Sequence, residues 1–428
     1  MSQRFILIVL IAVFPFAAEA QLNNILKRAK NKAEQRANNK VDEAIDKTLD
    51  AAEGKNTGSS EAPSQPKPAT PAKTETEEPV LKSFYKFDFV PGDSVLYYDN
   101  FEGEALSELP ASWNTSGSGE VTTLDKYPGN WLRLHKSNKY LSGNLKQFGE
   151  NYTIEFDLIL QLKNNGWMYP EFNIGLFATG DQPGSSNVFL TDYDRNASVT
   201  ATIIPAEYKT SKLKMITAFE GKSYFASDTK TFESLDKLYG TPVHVAIQVQ
   251  KERFRMWVNE EKFFDVPKGV PAGSVMNQLI FNVGFTNYAE SQYGVFVSNI
   301  KVATGKSDTR HKLVEEGRFS TTGILFDFQS AVIKPESYAV VKEIAGVLKE
   351  NPSIKVKVLG HTSSDGDDNA NMELSKKRAA AVRDMLATEF GIDAARIETE
   401  GKGETQPVAD NKTKEGKMLN RRVEFNKL

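Results

Sequence analysis

Two short segments near the C-terminal end concentrate groups that could hold a ligand: Gly360-His361-Thr362-Ser363-Ser364-Asp365-Gly366 and Leu374-Ser375-Lys376-Lys377-Arg378-Ala379. Arg378 follows Leu374 by four residues and precedes Val382 by four, so on a helix it falls on the line those apolar residues define. A guanidinium on a core-facing edge must be paired or must snorkel outward. Two arrangements satisfy that demand. Either Arg378 bridges Asp365, Asp367 or Asp368 or lies along the helix surface, or its planar fork is open to a ligand carboxylate through two parallel hydrogen bonds. The acidic trio around Gly366 also suits a solvated turn that caps the following helix. His361, alone at a strand end, suits ordering of the loop better than catalysis.

Other chemistries find little support. His135, His244 and His311 are scattered without ligand spacing, and the chain has no cysteine, so no metal site, disulfide or thiol nucleophile is expected. Gly401-Lys402-Gly403-Glu404 lacks the full phosphate-loop pattern. A net charge of −3 gives no sign of a nucleic-acid partner. No cofactor is expected.

The elements that must position the C-terminal groups follow from periodicity. Residues 324–328 read as a strand, and Pro335 opens a helix carrying Tyr338, Val341, Ile344, Ala345 and Leu348 on one side. Asn351-Pro352 stops it. Ile354, Val356 and Val358 alternate as a strand that ends at Gly360. A second helix spans about 371–390, closed by Gly391 as a left-handed cap. Strands near 397–401 and 422–425 complete a β-α-β-α-β-β order.

The two motif segments resemble the OmpA-like peptidoglycan-binding domain, whose signature reads G-H-T-D, ten residues, then L-S-x-x-R-A. The resemblance extends through 326–335 (F-x-x-x-S-A-x-I-K-P), Gly401-Lys402-Gly403-Glu404 and Asn420-Arg421-Arg422-Val423-Glu424, and covers nearly all of residues 321–428. It implies an α+β domain and a partner, the peptidoglycan stem peptide of the diaminopimelate type. In that family the arginine meets the ligand carboxylate and the motif aspartate its ammonium. Arg378 matches the arginine; Ser363 stands where the aspartate belongs. A hydroxyl still accepts a hydrogen bond but carries no charge, which should weaken binding by ~1–3 kcal/mol. Asp365, two residues on, is a candidate replacement. Thr362 and His361 complete the expected peptidoglycan-binding set with Arg378, Ser363 and Asp365.

Residues 81–305 carry many short alternating runs. Examples are 152–158, then Val243, Val245, Ile247 and Val249, then Phe254, Met256 and Val258, with a turn at Asn259-Glu260-Glu261-Lys262 into 263–266 and later strands near 279–285 and 295–302. An all-β antiparallel sandwich is expected. The strand order around 253–267 resembles concanavalin-A-like and laminin-G-like jelly rolls, which implies a glycan or protein ligand. A membrane β-barrel is the competing fold, but its strands need about 9–11 residues and aromatic girdles. Jelly rolls include glycoside hydrolases, and Glu155 and Asp157 begin an E-x-D-x-x-E pattern. Leu160 occupies the third acidic position, so the two carboxylates are read as a wet strand face and the protein as non-enzymatic. Trp113, Trp131, Trp167 and Trp257 either stack on sugars or pack in the core.

The remaining segments suggest export. Arg4, the apolar run 5–16 and Ala18-Glu19-Ala20 read as a signal peptide over 1–20, its run of roughly 18 Å being too short for a ~30 Å hydrocarbon core. Residues 21–53 read as a charged helix with an alanine-rich stripe, 54–80 as a Pro/Ser/Thr linker, and 306–320 as a connector. The expected place is the periplasm or outer membrane. No lipidated cysteine is available to hold the chain there.

Overall fold

The computed structural model describes residues 87–305 and 308–428; the expected leader, charged helix and linker lie outside the described residues. Among the described residues, no helix is long and apolar enough to cross a membrane.

Alternation builds the middle region as two antiparallel eight-stranded sheets around one core. Strand Asn151–Gln161 is central to the first sheet, between Pro242–Gln250 and Gly294–Thr304. It sends Tyr152, Ile154, Phe156 and Leu158 inward, where Val243, Val245, Ile247 and Val249 join them. Phe172, Ile174, Leu176, Phe281 and Val283 enter the same core from the second sheet. The hairpin expected at 259–262 is tighter than that: Val258 pairs with Glu261, Glu261 and Lys262 belong to the strand Glu261–Val266, and Asn259 takes a positive φ of 50°.

The opposite face of the first sheet is not wet. Glu155 is only 5% exposed, because the segment 87–92 and the C-terminal region lie over this face. Phe87 and Phe89 pack on Trp257 and Ala246, and Val90 packs against the C-terminal core. A buried carboxylate needs counter-charges. Lys301 forms an ion pair with Glu155, and His244 lies 3.4 Å from Glu155 and 3.0 Å from Asp157. A bulge at Asn299, with φ of 54°, sets Lys301 opposite Glu155.

In the C-terminal region we label helices α1 (Thr309–Val314), α2 (Tyr338–Glu350), α3 (Asp368–Thr388) and α4 (Lys414–Asn420). Its strands are β1 (Arg318–Thr321), β2 (Val356–His361), β3 (Ile397–Gly403) and β4 (Val423–Lys427). The sheet order is β1-β4-β2-β3, with β2 and β3 parallel and the other pairs antiparallel.

Three features depart from the sequence reading. Residues 306–320 are more than a connector: they carry α1 and β1, and Leu313 and Phe319 are buried in the C-terminal core. The expected strand at 324–328 is replaced by a tight reversal. Phe326 makes one bridge to Ile333, and Asp327 N–H and Lys334 N–H close on Val332 O and Leu325 O at 3.0 and 2.9 Å. Finally, α4 interrupts the expected strand-to-strand run. Thr413 caps it by accepting from Gly416 N–H at 3.0 Å, and a Cβ on Gly416 would stand 1.9 Å from Asp410 O.

Candidate functional site

The motif glycines set how closely helix and sheet approach. α3 crosses β2 so tightly that a Cβ on Gly360 would lie 2.2 Å from Ser375 O, and one on Gly401 would lie 2.5 Å from Lys376 N. The Ser375 hydroxyl sits in the same seam, donating to Met372 O at 2.7 Å and accepting from Gly403 N–H at 2.9 Å. This contact brings the loop after β2 against the start of α3.

Asn371 fixes that loop. Its Nδ2 donates to Ser363 O at 3.3 Å, Asp365 O at 3.0 Å and Glu404 Oε2 at 2.7 Å. Asp367 caps α3, accepting from Ala370 N–H at 2.9 Å. Of the acidic trio, therefore, Asp367 serves the helix, while Asp365 faces the motif hydroxyl. Ser363 Oγ donates to Asp365 Oδ2 at 2.8 Å.

Asp365 is already neutralised within the chain. Lys417 Nζ on α4 lies 2.6 Å from Asp365 Oδ1, and Arg421 Nη1 is 3.8 Å from Oδ2 and 3.4 Å from Ser363 Oγ. Partial burial would raise the Asp365 pKa, but hydrogen bonds from Lys417 and Ser363 and the charges of Lys417 and Arg421 outweigh it, so the net shift is downward.

Arg378 follows neither version of the paired arrangement. Among the described residues it has no carboxylate partner. Its Nε donates to Ser330 O at 2.9 Å, and its guanidinium carbon sits 4.8 Å from the centroid of the Phe326 ring. The reversal at 325–334 supplies both contacts. Burial, then the charge of Arg421, lower the Arg378 pKa to about 10. It remains a cation at neutral pH.

His361 and Thr362 lie deeper. His361 is 2% exposed, neither ring nitrogen has a hydrogen-bond partner, and Nε2 is 3.8 Å from Glu424 Oε2. Burial and the charge of Arg422 push its pKa down to about 4, so the ring is neutral. Thr362 Oγ1 is likewise buried without a partner. Both residues shape the loop from below. Ser363, Asp365 and the guanidinium of Arg421 come together above them, and the charge of Arg421 extends to Arg378.

Sequence reasoning missed Lys417 and Arg421. Arg421 lay within a recognised segment, but its partner was hidden by the distance along the chain from 365 to 421. Lys417 sits on a short helix whose Lys-Glu-Gly-Lys start reads as polar loop. α4 packs against the sandwich strand Ser94–Asp99. There Lys414 Nζ reaches Asp99 Oδ1 at 3.1 Å and Glu104 Oε1 at 2.8 Å, and Lys417 Nζ reaches Glu102 Oε1 at 2.6 Å.

The family model described as OmpA family matches residues 325–421. These residues form an OmpA family domain. The match includes the motif loop, Arg378, α4 and Arg421. Outer membrane porin F of Pseudomonas aeruginosa is 48% identical over 101 residues, 24% of this chain and 29% of that protein. Probable lipoprotein YiaD of Escherichia coli is 46% identical over 102 residues, 24% of this chain and 46% of that protein. The chain thus covers less than half the length of either relative. A solved structure, the cell wall anchor of the T6SS from Pseudomonas aeruginosa, matches at 35% identity over 24% of this chain and 74% of that one, with a TM-score of 0.23.

Outside the OmpA family domain the candidates separate clearly. Glu155 and Asp157 are committed to Lys301, His244 and Asn299 and do not line a cleft. Trp113, Trp131 and Trp257 are buried, whereas Trp167 is 55% exposed, on a loop that also carries exposed Met168.

Proposed function

We propose that this chain is an exported envelope protein whose OmpA family domain binds peptidoglycan noncovalently and links the wall to the outer membrane or to a partner held there. Arg378 carries this reading. It is a half-buried guanidinium at the motif's arginine position, oriented by Phe326 and Ser330, with no carboxylate of its own among the described residues. A planar fork held in that way suits bidentate recognition of a carboxylate, here that of diaminopimelate in the stem peptide. Ser363 and Asp365 join through Arg421, whose charge reaches Arg378, and His361 and Thr362 support the loop. No covalent step is assigned. We read the middle region as a concanavalin-A-like jelly roll that takes a glycan or a protein, with Trp167 and Met168 on its exposed loop.

The test is cosedimentation of the full chain with purified sacculi, compared with Arg378→Ala. Wild type should pellet, and the variant should require at least tenfold more sacculi for the same bound fraction. A wild-type chain that stays in the supernatant would overturn the reading.

A further inference from the structure

The loop at Ser363 carries counter-charges of its own. Lys417 is shared between Asp365 and Glu102, at 2.6 Å from each. Both carboxylates thus have an ammonium of the chain's own beside them. Arg421 adds a guanidinium 3.8 Å from Asp365 and 3.4 Å from the Ser363 hydroxyl. Arg378 adds another that no carboxylate offsets, with Ser330 O and the Phe326 face as its contacts. Lys417 thus answers Glu102 and Asp365 together, Glu404 accepts from Asn371, and Arg378 keeps a guanidinium with no carboxylate partner among the described residues.

A ligand ammonium arriving here meets an unfavourable arrangement. The motif position offers a neutral hydroxyl, and the nearest carboxylate is held by Lys417. A ligand carboxylate meets the opposite, the Arg378 guanidinium with no carboxylate of its own among the described residues.

We propose that the site selects its ligand by the carboxylate alone, because Lys417 fills from within the chain the place beside Asp365 that a ligand ammonium would need. Stem peptides whose diaminopimelate side-chain amine is acylated in a crosslink then bind as tightly as those with a free amine. Ser363 and Lys417 are the specificity-determining residues, and crosslinked wall is a full ligand. This inference rests on the wall-binding reading above.

The experiment titrates the full chain calorimetrically with three synthetic diaminopimelate stem peptides: free amine, N-acetylated at the side-chain amine, and amidated at the adjacent carboxylate. Acetylation should change Kd by less than threefold, and amidation should weaken binding more than tenfold. Acetylation that weakens binding threefold or more, with the free-amine peptide bound, overturns the inference and leaves the wall-binding reading standing. If no peptide binds and sacculi do not retain the chain, the wall-binding reading fails and takes the inference with it. Lys417→Met, checked for folding by circular dichroism, frees Asp365 and should make acetylation cost tenfold or more. An acetylation effect that stays below threefold in that variant removes Lys417 as the determinant.

Discussion

Two buried histidines give the two halves of this molecule opposite responses to pH, and the acid side can be worked out in numbers. His361 falls from an ordinary 6.5 to about 4 in the folded chain, owing first to burial and then to Arg422. Its depressed pKa means that the unfolded chain binds a proton between pH 6.5 and 4 while the folded chain does not, so stability is lost as pH falls through that window. At pH 4.5 the loss amounts to about 2.5 kcal/mol, or roughly a 70-fold rise in the opening equilibrium. Asp365 and Glu424 have lowered pKa values, so their contributions persist above the ordinary 3.8 and 4.5 and fade only below. His244 is raised to about 10: its burial opposes the charge, but Asp157 and Glu155 prevail. Its contribution is complete below 6.5 and disappears as pH climbs through 10. All four tryptophans lie in the sandwich, so fluorescence would miss the C-terminal domain. Hydrogen exchange with mass spectrometry, corrected for intrinsic rates, can follow peptides from β2 and from strand Pro242–Gln250 separately. Between pH 6.5 and 4.5 the β2 opening free energy should fall by about 2 kcal/mol, the sandwich strand should hold, and His361→Leu should abolish the β2 trend. A β2 profile that is flat in wild type, or equally steep in His361→Leu, would refute the assignment.

Three further outcomes are expected. Gly360→Ala forces a Cβ to 2.2 Å from Ser375 O and should destabilise the C-terminal domain by about 1–3 kcal/mol, read as earlier urea-induced loss of β2 exchange protection. Glu155→Gln leaves Lys301 and His244 without their shared carboxylate; it should cost about 3–5 kcal/mol in the sandwich, seen as a lower midpoint by tryptophan fluorescence. Lys414→Met removes the cation that α4 places against Asp99 and Glu104, and should weaken the contact between sandwich and C-terminal domain, measured as faster exchange in α4 and a larger radius of gyration by small-angle scattering.

Much of the C-terminal domain was legible because its determinants are local. The Gly360 and Ser375 spacing encodes one helix–strand crossing, and the left-handed Gly391, φ +66°, ends α3 as its position suggested. The alternation in 152–158 likewise placed Phe156 and Leu158 in the core. What failed was anything decided by a distant partner. Glu155 and Asp157 looked like a wet face because period-two alternation shows which residues leave the core, and says nothing about what covers the other side. His244 and Lys301 reach Glu155 only through sheet register and a bulge. The strand expected at 324–328 has the right residue types, but its backbone bonds turn back on 332–334.

The same division explains why Ser363 looked like a defect. Judged by its own position, a serine in place of an aspartate removes one charge from the loop and predicts a weakened grip. The folded chain brings two distant cations, Lys417 on α4 and Arg421 from the family-like run 420–424, onto Asp365 and its hydroxyl partner. An aspartate at 363 would add a second carboxylate beside Asp365, and its negative charge would compete with Asp365 for Lys417 and Arg421. Serine instead leaves Asp365 as the carboxylate that Lys417 and Arg421 share, while its hydroxyl bridges Arg421 and Asp365. Ser363 and Lys417 therefore act on the same carboxylate, although they stand far apart in sequence. Ser363→Asp alone should restore dependence on a ligand ammonium only partly, whereas Ser363→Asp with Lys417→Met should restore it fully. The acetylated and free-amine peptides measure this directly, and equal ratios in the single and double variants would show that the two positions act independently.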